Sequence, residues 1–411
     1  MKFETYTQAT SWLFDQFPSY QNNGASAYKP GLTQTTDLLH SLAIDPKDMS
    51  IIHVAGTNGK GSTCSYMSSI LTEKNEKVGL FTSPHIFDFR ERIRINGVQI
   101  DEHSVVNFCQ RVVDLHLDFE PSFFEVTFAM AIDHFQQNQC TYAVIETGMG
   151  GRLDSTNVLQ STISVITNIG LDHTQFLGET LPEIAFEKAG IIKSNQPVVI
   201  GQTQEELKVL FTEKAKKHGA QIYFADKEKW DLLDKTELPS LQKTNLRTAL
   251  CALSKINVSF SNETITKALK NLVLNTGLFG RLTKVRENPL IYLDVSHNQD
   301  GIRVTLMDIA NLRFNNLHII YGASQDKNVP EILSLLPSKA MIYLSEFRNN
   351  RSLTLAELME IKTKDSRVQS VSSDVNKLLK SLENAVSPQD LILVTGSFFL
   401  LSDLGQSIIN R

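Results

Sequence analysis

Apolar positions along this chain follow two alternating rhythms. Short continuous runs rich in β-branched and aromatic residues recur: SIIHVAG (50–56), KVGLFT (77–82), TYAVIET (141–147), STISVITNI (161–169) and QPVVIG (196–201). Such runs predict strands buried on both faces. Between them, Val105–Val113 and Phe124–Phe135 carry apolar residues at helical spacing, and a helix is predicted from Lys60 to about Lys74. Strands alternating with helices imply crossover units and a mainly parallel sheet.

The alternation falters in the charged stretch KEKWDLLDKTELPSL (227–241), then resumes with a helix over Asn245–Lys255 and a glycine-containing loop, NTGLFGR (275–281). A second series of strands follows: PLIYLDV (289–295), NLHIIYG (316–322), AMIYLSE (340–346), RVQSVS (367–372) and LILVTGS (391–397). Helices such as Val329–Leu336 and Val375–Leu382 lie between them. The expected fold is α/β. Residues 1–284 form a P-loop-type, mainly parallel sheet domain with helices on both faces, and residues 285–411 a smaller Rossmann-like α/β domain.

Composition changes this picture little. A chain of 411 residues with 41% hydrophobic and 21% charged residues is globular and long enough for more than one core. Its formal charge of −5 offers no electrostatic footprint for nucleic acid or an anionic membrane. No apolar run approaches the ~18 residues of a membrane span, and the polar start MKFETYTQATSW has no signal-like core. The four cysteines form no C-x-x-C pair, so a cytoplasmic location is expected. The cluster Glu213–Lys217 reads as a solvated helix face.

Chemistry enters at Gly56-Thr57-Asn58-Gly59-Lys60-Gly61-Ser62, between a buried strand and a helix. Glycines let successive N–H groups turn around a phosphate, the helix N-terminus adds partial positive charge, and Lys60 adds a full one. Ser62 or Thr63 can cap the helix or approach a metal. The spacing departs from G-x-x-x-x-G-K-[ST], but the strand–loop–helix context points to nucleotide binding.

Three further segments follow predicted strands, where an open α/β sheet collects ligands. Ser83 lies in Thr82-Ser83-Pro84-His85, Glu146 opens the glycine-rich turn Thr147–Arg152, and His173 lies in Gly170-Leu171-Asp172-His173-Thr174. Singly, these are a turn residue, a cap and a core histidine. Together, a hydroxyl, a carboxylate and an imidazole suit Mg²⁺ that retains waters. Lys188, in the amphipathic helix predicted over Pro182–Ile192, reads from pattern alone as a snorkelling surface lysine.

These motifs, together with FTSPH, SFFE (122–125), ETGMGGRLDSTN (146–157), EKAGI, GRL (280–282), D-x-x-HN (294–298) and DK (326–327), resemble the folylpolyglutamate synthase/dihydrofolate synthase family of the Mur ligase superfamily. The resemblance runs from Tyr28 to Phe398. It implies that Thr57, Asn58, Gly59, Lys60, Gly61 and Ser62 hold the ATP phosphates, and that Asn245 reads adenine. Ser83, Glu146 and His173 would ligate Mg²⁺, two ions in all. Lys188 would carry a CO₂-derived carbamate, an anion in place of a cation. Arg281 and Asp294 match residues of the hinge and C-terminal domain that close over ATP, and His297 would lie beside the transferred phosphate. Ser122, Phe123, Phe124, Glu125, Leu153, Asp154 and Ser155 match the pterin pocket, with Lys29, Pro30 and Gly31 from an N-terminal loop. Two departures are Val295-Ser296 in place of Gly-Ala, and Leu278-Phe279-Gly280-Arg281 in place of Trp-Pro-Gly-Arg.

The resemblance implies an ATP-dependent amide ligase adding L-glutamate to dihydropteroate or folates through an acyl phosphate. A monomer is expected, with the C-terminal domain binding glutamate and no nucleic-acid or membrane partner. Another amino-acid ligase of the superfamily is the alternative enzyme; a nucleotide switch without ligation is the alternative from a different class.

Overall fold

In the computed structural model, residues 2–17, 30–325, 327–405 and 408 are described. The chain divides into two compact units: Met1–His85 with Arg90–Leu278, and Ile86–Phe89 with Phe279–Arg411. Arg281 therefore belongs to the second unit, as does a four-residue segment taken from far earlier in the chain. The reason is apolar burial. Ile86 lies in one core with Ile291, Leu293 and Val295, and the Phe87 ring is 5.7 Å from that of Phe279.

The first unit is built on eight strands: β1 (Ser50–Ala55), β2 (Val78–Phe81), β3 (Ile93–Ile95), β4 (Val98–Gln99), β5 (Tyr142–Glu146), β6 (Ile163–Ile166), β7 (Val198–Ile200) and β8 (Ile222–Phe224). Their order is β4-β3-β2-β5-β1-β6-β7-β8. The six from β2 to β8 run parallel, and the β3–β4 hairpin joins the edge antiparallel. Central strands must be apolar on both faces, and β1, β5 and β6 are almost entirely buried. On one face the helices Lys60–Glu73 and Ser240–Lys255 cover the sheet, packing Met67, Ile70, Leu246 and Leu250 against Ile52, Val54 and Val144. The charged stretch before the second helix holds only the short helix Asp231–Asp234, and the helix itself begins at Ser240, five residues before Asn245.

The second unit is a six-stranded sheet: β9 (Thr283–Glu287), β10 (Leu290–Leu293), β11 (Leu317–Tyr321), β12 (Met341–Ser345), β13 (Val368–Ser372) and β14 (Leu391–Thr395). Its order is β13-β12-β11-β14-β10-β9, parallel except for β9. Two apolar cores pack against it, one containing Ile319, Ile342 and Leu393 and the other Ile320, Ile392 and Leu400. Among the described residues, no helix is long and apolar enough to cross a membrane.

Candidate functional site

Register brings the candidate residues of the first unit to one edge. Val54 of β1 pairs with Glu146 of β5, and Ala55 with Ile166 of β6, so the segments after these strands leave the sheet together. This is the carboxyl edge, where parallel sheets bind ligands.

The phosphate loop is held from beneath by the segment after β6. The Thr57 N–H donates to the Asn168 carbonyl at 2.9 Å, and the Asn58 N–H to the Asn168 side chain at 2.9 Å. Thr167 Oγ1 donates to the Asn58 carbonyl at 2.6 Å. Close contact explains the first glycine: a Cβ on Gly56, which has φ +148°, would stand 1.9 Å from Thr167 Oγ1. Gly59, at φ 82°, is the N-cap of the helix Lys60–Glu73, a conformation that suits glycine. A Cβ there would meet Asn245 Oδ1 at 2.2 Å, which places Asn245 directly against the loop. Asn245 is buried, and its Nδ2 has no hydrogen-bond acceptor among the described residues. An amide donor left open beside a phosphate loop suits a ligand that brings the acceptor. Lys60 folds back on the loop, with Nζ donating to the Gly56 and Thr57 carbonyls at 3.1 and 3.3 Å.

Glu146 is 3% exposed, and the Ser83 N–H donates to its Oε2 at 3.0 Å. His173 is in the left-handed region (φ 51°) at the start of the short helix Thr174–Leu177, with Nε2 4.0 Å from Asp172. Among the described residues, no three His, Cys, Asp or Glu side chains cluster tightly enough to cage a metal by themselves. One buried carboxylate, a serine and a histidine nevertheless fit a hard divalent cation that keeps waters and takes phosphate oxygens as ligands.

Lys188 corrects the surface reading. The helix Leu181–Lys188 ends on it, the side chain is 4% exposed, and Nζ donates to the Gly56 carbonyl at 2.9 Å. Burial, reinforced by the nearby positive charge of Lys60, pushes its pKa down to about 7; Asp172 and Asp154 act in the opposite direction. Helical spacing held the signal, because Lys188 follows the buried Ile184 and Ala185 by four and three positions.

A second cluster borders this edge. Ser122 caps the helix Phe123–Gln137 in a capping box with Glu125, whose Oε1 also accepts from Thr35 Oγ1 at 2.9 Å. These two polar residues are therefore buried for a structural reason. Phe124 lies against Gly148, where a Cβ would be 2.7 Å from the ring. Phe123 stacks on Phe14 at 4.9 Å. The Gly31 N–H reaches the Leu153 carbonyl at 3.3 Å, which puts Gly31 at this cluster; Pro30 is exposed, and Lys29 lies outside the described residues, as does Asp326. Asp154 and Ser155 are buried. Asp154 accepts from the Met149 N–H at 2.8 Å and from the Thr156 N–H and hydroxyl at 3.0 and 2.5 Å. Burial raises its pKa, opposed by these hydrogen bonds.

Arg92 and His53 lie beside these residues without any sequence motif marking them. Arg92 is 3% exposed, donates from Nε to His85 Nδ1 at 2.8 Å and sits 5.3 Å over the Phe123 ring. Burial lowers its pKa to about 10 while Glu146 and Glu91 oppose the fall. His53 had a signal: it is the one ionisable residue in the all-buried run IIHVA of β1.

In the second unit, Arg281 and His297 flank one ring, with Arg281 Cζ 5.2 Å and the His297 ring 6.0 Å from the Phe398 centroid. Asp294 is occupied internally. Its Oδ2 accepts from the Leu282 N–H at 2.8 Å, and Oδ1 accepts from the Ser296 N–H and Thr305 Oγ1 at 2.9 and 3.0 Å. Leu282 has φ 51°, so the carboxylate fastens an unfavourable backbone conformation.

Comparison with known proteins identifies the family. Residues 54–281 match the Mur ligase middle domain, and residues 280–398 match the Mur ligase, glutamate ligase domain. A dihydrofolate synthase/folylpolyglutamate synthase of Bacillus subtilis (strain 168) is 32% identical over 98% of this chain and 99% of its own length. The structure of E. coli FolC in complex with DHPP and ADP aligns at TM-score 0.85 with 26% identity, covering 99% of this chain and 98% of that one. The Yersinia pestis bifunctional folylpolyglutamate synthase/dihydrofolate synthase, complexed with AMPPNP and Mn ion, aligns at 0.85 with 26% identity and 98% coverage of both chains. A glycine loop between β1 and a buried helix, a carboxylate ending the neighbouring strand and matches along nearly the whole chain lead to one conclusion: this chain belongs to the Mur ligase family, with the dihydrofolate synthase/folylpolyglutamate synthases as its relatives.

Proposed function

We propose that this chain is an ATP-dependent ligase joining L-glutamate to dihydropteroate, to reduced folates, or to both, with release of ADP and phosphate. The observation that carries the reading is the buried Lys188 amine bonded to the first carbonyl of the phosphate loop. A lysine with a pKa near 7 is substantially neutral at physiological pH. Only the neutral amine reacts with CO₂, so this environment suits a carbamate, which would turn a like-charge neighbour of Lys60 into a partner.

In the first step an acceptor carboxylate oxygen attacks the γ-phosphorus of ATP and the bond to the β-phosphate oxygen breaks. ADP and an acyl phosphate result. The glutamate amine then attacks the acyl carbon, the carbon–oxygen bond to phosphate breaks, and the amine proton is lost to solvent. Thr57, Asn58, Gly59, Gly61 and Ser62 present the loop and helix N-terminus to the phosphates. Lys60 swings from its carbonyl contacts to the β- and γ-phosphates. Ser83, Glu146, His173 and carbamylated Lys188 are the ligands proposed for two Mg²⁺ ions. Bound there, Mg²⁺ supplies charge neutralisation at the phosphoryl oxygens.

Asn245 is assigned to adenine on the strength of its open amide beside Gly59. Pro30, Gly31, Phe123, Phe124, Leu153, Asp154 and Ser155 are assigned to the acceptor pocket, with Ser122 and Glu125 shaping it through their capping box and Lys29 as a further member. Arg281 and His297 complete the nucleotide-handling set of this proposal, with Asp294 serving it by holding the Leu282 backbone next to Arg281, and a monomer in the cytoplasm is the expected working form. The deciding experiment measures ADP release with dihydropteroate or tetrahydrofolate as acceptor, with and without L-glutamate. Glutamate-dependent ADP formation with at least one acceptor is expected. ATP binding without it on any folate would return the nucleotide-switch alternative.

A further inference from the structure

Thr156 Oγ1 has two close neighbours and one proton. It lies 2.5 Å from Asp154 Oδ1 and 2.7 Å from His53 Nε2, with all three side chains buried. Asp154 also receives N–H donors from Met149 and Thr156, as suits an ionised carboxylate. The hydroxyl proton is therefore directed to Asp154, and Thr156 must accept rather than donate on its other side. His53 can satisfy that contact only as the Nε2–H tautomer. His53 Nδ1 then keeps a lone pair, and among the described residues it is indeed buried and without a partner. An imidazole held neutral by its surroundings fits this assignment: burial, with Lys193 nearby, depresses the His53 pKa to about 3.

We propose that His53 is a positioning residue for the acceptor pocket: by donating to the Thr156 hydroxyl, it directs that hydroxyl to the Asp154 carboxylate and fixes the turn Gly148–Asp154. The inference rests on the assignment of Asp154 to that pocket. Its structural basis is the position of His53 in β1, three residues before Gly56 in the strand that carries the phosphate loop. Neighbours Ile52 and Val54 point to the core under the helix Lys60–Glu73, and alternation turns His53 to the opposite face. One strand thus supports the phosphate loop at its end and the acceptor turn through one side chain. The buried lone pair on Nδ1 is a cost of the kind retained at functional sites.

The test compares Thr156→Val, Thr156→Ser, His53→Leu, His53→Gln and Asp154→Asn by steady-state kinetics. Thr156→Val keeps shape and removes the hydroxyl; it should raise the acceptor KM about tenfold and leave the ATP KM within about twofold. Thr156→Ser should restore the wild-type acceptor KM. His53→Leu should match Thr156→Val, the double variant should be no worse than either, and His53→Gln, which keeps an N–H donor, should recover part of the loss. Equal rises in both KM values, or an unchanged acceptor KM in Thr156→Val, would overturn the relay. If Asp154→Asn alone raises the acceptor KM, the pocket stands and only the relay falls. If Asp154→Asn leaves it unchanged, the pocket assignment itself is wrong and the relay has no purpose.

Discussion

Lys188 in the first unit and Asp294 in the second are equally withdrawn from water, with 4% and 5% of their surface exposed, yet they are held in opposite ways. Asp294 meets two backbone N–H groups and a hydroxyl, all donors aimed at a carboxylate. Lys188 meets the Gly56 carbonyl, but the charge of Lys60 also bears on it, and its surroundings favour the neutral amine. Burial of charge with matching donors makes a structural clamp, here on the backbone of Leu282. Burial with a like charge nearby makes a group ready for chemistry. The contrast separates the two roles more sharply than burial alone, since both sheets place polar residues beyond apolar strands.

The largest expected effect is on the chemical side of this contrast. Glu146→Gln should lower kcat about a hundred- to a thousandfold, while nucleotide affinity, measured by calorimetry, changes only severalfold. Unchanged turnover would remove Glu146 from the metal assignment. Next in size is a pH effect. The Lys188 pKa is about 7 in the folded protein against 10.5 as its reference value. Between those values the unfolded chain binds more protons, so with CO₂ and bicarbonate excluded, which leaves the amine unmodified, wild-type stability should rise with pH across this window and level off below about 7. Lys188→Met should lack that rise, a difference on the order of a few kcal/mol between pH 6.5 and 9.5 by denaturant titration. Parallel curves for the two proteins would show that Lys188 is not destabilised in its charged form.

On the structural side the effects should be smaller. Asp294→Asn keeps the shape but weakens the clamp, and should cost about 1–3 kcal/mol of local stability, read as faster hydrogen exchange at the Leu282 and Ser296 amides. Loss of ATP binding without faster exchange would instead give Asp294 a ligand role. The surface sets the lower limit. Lys364 and Glu360 pair at 2.6 Å but are 71% and 66% exposed, so Lys364→Ala should change stability by less than about 0.5 kcal/mol.

The same contrast explains what was legible in the sequence. Strands β1, β5, β6, β11 and β14 are apolar on both faces because helices cover the sheet, so their runs stand out. The edge strands β4 and β9, and β3 next to β4, are short or partly exposed, and β9 reads TKVRE; their runs are too brief or too polar to stand out as strands. The phosphate loop was readable because glycine is demanded by contacts at Gly56 and Gly59. The sequence places Ser83, Glu146 and His173 after strands, and the structure has the Ser83 N–H on the buried Glu146 carboxylate at the end of β5. Burial of Arg92 was not, because it depends on His85 and on a ring from a distant helix. Lys188 is half legible: helical spacing puts it on the buried stripe with Ile184 and Ala185, but the preference of lysine for water points the other way, and only the EKAGI motif favours burial. The segment Ile86–Phe89 shows the limit of a linear boundary, since no cut in chain order can assign it to the second unit.

The most direct test of the central claim is ADP release by Lys188→Ala, with saturating ATP, acceptor and L-glutamate, in the absence and presence of a short-chain carboxylate such as acetate. A near-complete loss of turnover, partly restored by the added carboxylate, is the predicted result. Full activity of Lys188→Ala without any addition would contradict the claim that this buried lysine supplies an anionic ligand at the phosphate loop.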